Sequence, residues 1–286
     1  MNKEMKKITM ITAFLLILIH SINAQNAAEM LKMENNKVVV HYYNNPPFAF
    51  ADEESETPKG IEIDLIKAFS DWLKTEKGIE VNLSFVMHKR FDEFYTTIAS
   101  SQNINTIGLG SVSITEPRKS EVKFSAPYLK NVSVLISSGE IETARSEEEL
   151  IAQFEGLIPV HVKGTVHGTY IDSLRKRVGN YITPVYVSSV NEVPQKIKES
   201  GKYFGYIDII SFWNYIKTHD EYLKMHRYAN VSGEYFGFIF PKESYLNLLT
   251  NEFLESGFGF TATKKYHEIL SNYLGHEVIE KVEIDY

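Results

Sequence analysis

The spacing of apolar and polar positions changes period along the chain, and the changes mark out its elements. Residues 37–43, KVVVHYY, form a β-branched and aromatic run that stops at NNPPF, where two prolines bar further ladder pairing, so a strand is predicted. In IEIDLIKAFSDWLK, Ile61 and Ile63 alternate as in a strand. Leu65, Ile66, Phe69, Trp72 and Leu73 then recur at helical spacing, with Asp64 placed to cap the helix. IEVNLSFV reads as a strand, RFDEFYTTIASS as a helix and INTIGLGSVS as a strand. A second series begins near residue 157 with the strand and glycine turn GLIPVHVKGT. It continues through the helix VHGTYIDSLRKRV, the strand ITPVYVSS, the helix VNEVPQKIKES and the strand KYFGYIDII. ESYLNLLTNEFLESG and KKYHEILSNYLG are helical by period. Strands alternating with helices of these lengths predict two α/β units with largely parallel sheets.

In open α/β sheets, ligands gather at the carboxyl ends of strands, where loops deliver backbone N–H groups and helix N-termini. GSVSIT and KGTVHG fall at such ends, one in each unit, which predicts a cleft between two lobes. The first loop sets Ser111, Ser113 and Thr115 at alternate positions and is followed by Arg118. A planar guanidinium offers two parallel donors to a carboxylate, fixing orientation as well as supplying charge. The alternative is an arginine solvated at a turn.

Composition narrows the setting. Residues 8–28 carry no charged side chain, but the apolar core from Met10 to Ile19 is shorter than the roughly 20 residues a bilayer needs. A secretory signal peptide cleaved after Ala24 is expected, an uncleaved anchor being the alternative. The chain has no cysteine, which excludes a lipid-anchored cysteine, a disulfide framework and thiolate chemistry. A formal charge of −7 without a basic patch argues against nucleic acid as a partner. His161 and His167 stand six apart across a glycine turn and no HExxH occurs, so neither a metal nor a cofactor is expected. GLGS lacks the third glycine of a dinucleotide fingerprint and no GxSxG elbow exists, so no catalytic residue is assigned.

The ordered set NNPPFAF, KGIEIDLIKAF, GLGSVSITEPRKSEVKFSAPY, VKGT, YID, FGFIFPK and KYHEILSNYLG resembles the periplasmic solute-binding proteins of the polar amino acid uptake family, family 3 of the bacterial extracellular solute-binding proteins. The resemblance runs from about Val38 to Gly275, and SITxxR followed by FSxPY is its most specific part. It implies the type II periplasmic-binding-protein fold, two α/β lobes joined by two hinge strands. The expected boundaries are 1–24 for the signal peptide, 37–130 with 236–286 for lobe 1, and 133–230 for lobe 2. The hinges are expected near KNVSVLI and SGEYFGF.

By the same resemblance, Arg118, eight residues after Gly110, occupies the place of the arginine that grips a ligand α-carboxylate. Ser111 and Ser113 take the positions that add hydroxyl or N–H donors. Thr165 matches the first hydroxyl of the second loop, while Val166 stands where a second hydroxyl is common. Asp208 is the expected partner of the ligand ammonium. It lies one residue closer to the SGK turn than the family's usual spacing, and a one-residue slip would turn it to the other face. Tyr42 and Phe91 lie near the side-chain pocket; Tyr42 sits where binders of basic amino acids carry an acid, and core packing is an equal reading of Phe91. Asn105 replaces a usual aspartate and is expected to anchor the serine loop.

The function so implied is periplasmic binding of a small amino acid or close analogue, delivered to the membrane permease of an ABC-type uptake transporter. A monomer is expected. The alternatives are a cyclohexadienyl-dehydratase-like enzyme on the same fold, with Asp208 moving the proton, and a stand-alone ligand-sensing module.

Overall fold

The computed structural model describes residues 26–32, 36–52, 57–219 and 222–275; the leader predicted over 1–24 lies outside them. Its first half is built on β1 (Lys37–Tyr43), with a small hairpin of β2 (Phe50–Ala51) and β3 (Pro58–Lys59), then β4 (Asn82–His88) and β5 (Thr106–Ser113). β6 (Lys123–Phe124) leads into the long β7 (Leu129–Ser138). The second half holds β8 (Ile158–Val162), β9 (Val185–Val187), β10 (Tyr203–Asp208) and β11 (Leu223–Met225), and β12 (Val231–Phe240) returns to the first.

Apart from the β2–β3 hairpin these strands form one sheet in the order β4-β1-β5-β12-β7-β10-β8-β9, with β11 on β7 and β6 on β12. β1 pairs parallel with β4 and β5, and β8 parallel with β9 and β10. Between these parallel groups run β12 and β7, antiparallel to each other and each ten residues long. The KNVSVLI and SGEYFGF segments are therefore the two strands that join the halves.

The helix Ile61–Lys77 departs from the pattern read in its sequence. Ile61 and Ile63 are not in a strand, and Asp64 lies inside the helix, not at its cap. Its first free N–H groups are met by backbone: Ile61 N–H donates to the Pro47 carbonyl at 3.0 Å and Glu62 N–H to the Phe48 carbonyl at 2.8 Å. This satisfies the orphan donors of a helix start without a capping side chain. The approach requires Gly60, whose φ is +121° and on which a Cβ would lie 2.3 Å from the Phe48 carbonyl oxygen. Asp64 instead accepts from the Tyr273 hydroxyl at 2.8 Å, fastening the C-terminal helix Lys264–Leu274 to the first half. Tyr266, Ile269, Leu270 and Leu274 of that helix share a core with Ile61, Leu65, Ile66 and Phe69.

A second core is formed by both halves together. Tyr43, Phe91, Phe94 and Val112 of the first belong to one continuous cluster with Val162, Val190 and Val193 of the second. A third, around Leu150, Phe154, Ile171 and Phe204, belongs to the second half. Among the described residues, no helix is long and apolar enough to cross a membrane.

Candidate functional site

The site is assembled at the end of β5, where the chain turns sharply. Ser111 holds a φ of +45°, unusual for a residue with a side chain. The turn is held by a carboxylate beneath it. Glu62, fully buried, accepts from Gly110 N–H at 3.2 Å, from Ser111 N–H at 3.1 Å and from the Tyr128 hydroxyl at 2.7 Å. Burial pushes the Glu62 carboxyl up to about 7, against the pull of Tyr128 and of the Ser111 and Gly110 N–H groups. Gly110 is required by packing, since a Cβ there would come within 2.7 Å of the Phe94 ring. The Gly110 and Ser111 N–H groups are thus spent inside the protein.

Two residues beyond the loop, Thr115 caps the short helix Glu116–Lys119 that carries Arg118. The half-buried Arg118 guanidinium donates to the Ser113 carbonyl at 3.0 Å and across the cleft to the Gly164 carbonyl at 3.0 Å. It also lies 5.4 Å from the Phe91 ring centre and 5.5 Å from that of Tyr95, a cation–π arrangement on both. Ser111 Oγ accepts from Asn45 Nδ2 at 3.0 Å, and Ser113 Oγ donates to Glu234 Oε2 at 2.8 Å. From the opposite side, Thr165 donates its hydroxyl to the Val162 carbonyl at 2.8 Å. Asp208, the last residue of β10, is buried and accepts from Asn131 Nδ2 at 2.7 Å, with His167 Nε2 at 3.5 Å from the same oxygen.

Arg118, Ser111, Ser113, Gly110, Thr165, Asp208 and Phe91 all line one cavity between the halves, of about 20 Å³. That is room for about one water molecule, so the cleft is drawn shut around Arg118. Tyr43 helps to hold it, donating its hydroxyl to the Ser188 carbonyl at 3.1 Å. Phe91 is both core and wall: 4% exposed, within the shared core, and facing the cavity.

Tyr42 is the exception and corrects the expectation from sequence. It is buried in the core of the first half and borders a separate surface groove beside Phe85 and Met87, while Tyr43 faces the cleft. Adjacent strand residues point to opposite faces, so an offset of one residue in placing β1 exchanges the two. Asn105 is buried and accepts from the Tyr245 hydroxyl at 2.7 Å, holding the start of β5. Glu62, Asn45, His167 and Glu234 were not singled out from sequence. For Glu62 a signal existed: it shares a helical face with Ile66, Phe69 and Leu73, where an acid needs a special reason. His167 stood in a loop already marked out, but only its spacing from His161 was weighed. Among the described residues no group of metal-binding side chains occurs.

Two α/β halves joined by two strands, with an arginine-bearing cleft between, define the class as a two-lobed binding protein. The sequence model of the bacterial extracellular solute-binding proteins, family 3, matches residues 38–276, and the chain belongs to that family. No curated protein matches the sequence. Solved structures share the fold at low identity. A substrate-binding protein of an ABC uptake transporter from Streptococcus pneumoniae, with bound histidine, is 18% identical over 86% of this chain and 95% of its own, with a TM-score of 0.68. An ancestral arginine-binding protein bound to arginine is 21% identical over 84% and 99%, at 0.66. The ancestral amino acid-binding protein AncCDT-1, a precursor of cyclohexadienyl dehydratase, is 16% identical over 86% and 99%, at 0.65.

Proposed function

We propose that this protein binds a small amino acid or a close analogue between its lobes and hands it to the permease of an ABC-type uptake transporter. The observation that carries this reading is Arg118, a cleft guanidinium whose hydrogen bonds go to two backbone carbonyls, one on each side. A carboxylate entering the cleft offers it a stronger, bidentate partner in place of those carbonyls. The ligands named for the similar folds, arginine and histidine, have such a carboxylate. In this reading Ser111, Ser113, Thr165, Asp208 and Phe91 surround the ligand, and lobe 1 comprises 37–130 and 236–286 with lobe 2 at 133–230. The mature protein starts after Ala24 in the periplasm and acts as a monomer. Since the cleft is shut, the lobes part to admit the ligand and close on it, driven by contacts made only in the closed state.

A dehydratase-like enzyme is the second reading. What favours it is a cleft carboxylate, Asp208, with a histidine beside it, together with the fold shared with a dehydratase precursor. A thermal-melt screen of amino acids, dicarboxylates and cyclohexadienyl acids, with mass spectrometry of the recovered ligand, tests both. Ligand at about 100 times its dissociation constant adds about 2.7 kcal/mol of stability. A binder recovered unchanged supports the transport reading, and one recovered altered supports the enzyme. Arg118→Ala is expected to weaken binding roughly 100-fold or more; a variant that binds like the parent removes Arg118 from the site.

A further inference from the structure

The cavity lining holds eight polar side chains, Tyr43 and Asn45 among them, and most have a partner. Ser111 Oγ is engaged by Asn45, Ser113 Oγ by Glu234, the Thr165 hydroxyl by Val162, and one Asp208 oxygen by Asn131. What faces the cavity with capacity to spare is Arg118, hydrogen-bonded only to carbonyls, the Asn45 Oδ1 acceptor, and His167, which of these three alone stands on the second half beside Asp208. His167 is 4% exposed, and its buried Nε2 has no hydrogen bond of good geometry, only a long contact with Asp208 Oδ1 at 3.5 Å. A buried imidazole nitrogen held only by a long contact is under-satisfied, and one at the wall of a binding cleft has room for a ligand atom.

The neighbouring carboxylate sets what that atom can be. Asp208 Oδ1 lies 3.5 Å from Nε2, outside hydrogen-bond geometry but close enough to favour a proton on the ring. Burial pulls the His167 pKa down, yet Asp208 and then Glu234 push it up, and the net shift is upward. An N–H or imidazolium at this point is a donor. A ligand ammonium approaching Asp208 would meet that donor in the same few ångströms, whereas an oxygen would accept from it.

We propose that His167 is a ligand contact, and that with Asp208 it adapts this wall of the cleft to an oxo or hydroxyl oxygen on the ligand's α-carbon in place of an ammonium group. The occupant is then a 2-oxo or 2-hydroxy carboxylate, its carboxylate on Arg118 and its α-oxygen on His167 Nε2. This rests on the reading of the cleft as a carboxylate-binding site and narrows the close analogue named there. Glu234, the other acid nearby, is directed at Ser113 and does not line the cavity.

Calorimetry on the full-length chain with matched sets tests it: alanine, pyruvate and lactate; leucine, 4-methyl-2-oxopentanoate and its 2-hydroxy form; glutamate and 2-oxoglutarate. The expected result is a set in which the oxo or hydroxy acid binds at least about tenfold tighter than its amino acid. His167→Asn should bring the ratio near one or invert it. If the amino acid binds tighter in every set that binds at all, this inference is overturned and the amino acid reading stands; if no member of any set binds, this inference falls, and the amino acid reading falls with it only when the wider melt screen is also blank. A His167→Asn chain that folds and keeps the parental ratio also overturns it. Should the variant not fold, the parent's ratio measured at pH 5.5 and 8.5 decides. It should shrink as His167 loses its proton, and a ratio that does not move overturns the inference. The titratable or charged groups facing His167 are Asp208 on β10, Glu234 on β12, Arg118, Tyr170 on its own helix and His161 on β8, and a variant comparison at each pH separates them.

Discussion

Glu62 illustrates how much of the cleft is made by residues that never reach it. Its carboxylate takes two N–H groups and a hydroxyl in a fully buried setting and so fixes the turn on which Ser111 and Ser113 stand. Glu62→Ala would orphan those donors and is expected to cost about 3 kcal/mol. Ligand affinity should fall in step, measurable by denaturant titration and calorimetry. The acid lies on an apolar helical stripe and was legible there as an anomaly; its partners were not, because they come from β5 and from Tyr128, far along the chain. A second buried residue sets a pH dependence. His226, fully buried, accepts the Ala144 N–H at Nδ1 and pairs its Nε2 with Ser137 Oγ, and burial lowers its pKa to about 4. A depressed histidine contributes stability that is complete above the unfolded value near 6.5 and is lost as pH falls toward 4. The loss is about 3 kcal/mol in full. Thermal melts between pH 7 and 4 should record the fall, and His226→Gln should flatten that limb. Glu62 acts in the opposite sense: with its pKa raised, stability declines as pH rises from about 4.5 to about 7.

At the scale of elements, the helix Ile61–Lys77 starts where a loop from elsewhere in sequence offers its carbonyls. Gly60→Ala is expected to cost at least about 2 kcal/mol, because the added Cβ meets a backbone oxygen and the φ is strained as well. An unchanged unfolding midpoint would show that the loop yields instead. Most elements were legible in sequence because their apolar periods are unambiguous, as in the helix Phe91–Ala99 and in β5. The start of this helix was not, since Ile61 and Ile63 fit a strand's alternation over so short a span. Tyr42 and Tyr43 could not be told apart for a related reason: sequence shows that strand residues alternate, and only packing shows which set faces the cleft.

Over the whole molecule, order and class of elements were readable, and so was the meeting of the two glycine-turn loops. The degree of closure was not, because it depends on contacts between halves that sequence leaves unpaired. Arg118 to Gly164, Tyr43 to Ser188 and the cavity of about 20 Å³ describe the shut form. Scattering from the ligand-free chain should fit a larger radius of gyration than this form gives, contracting when ligand is added. A profile that already matches the shut form without ligand would contradict the opening step.

The apolar wall of the cleft, where Tyr43 and Phe91 of one half stand with Val190 of the other, has a further consequence. It is sealed only while the halves touch, so the proposed opening would wet an oily seam that ordinary domain cores never expose. Closure would then behave thermally like a small folding reaction, with a negative heat-capacity change that calorimetry of ligand binding should record and an apolar driving force that weakens on cooling. A molecule built this way opens more readily in the cold.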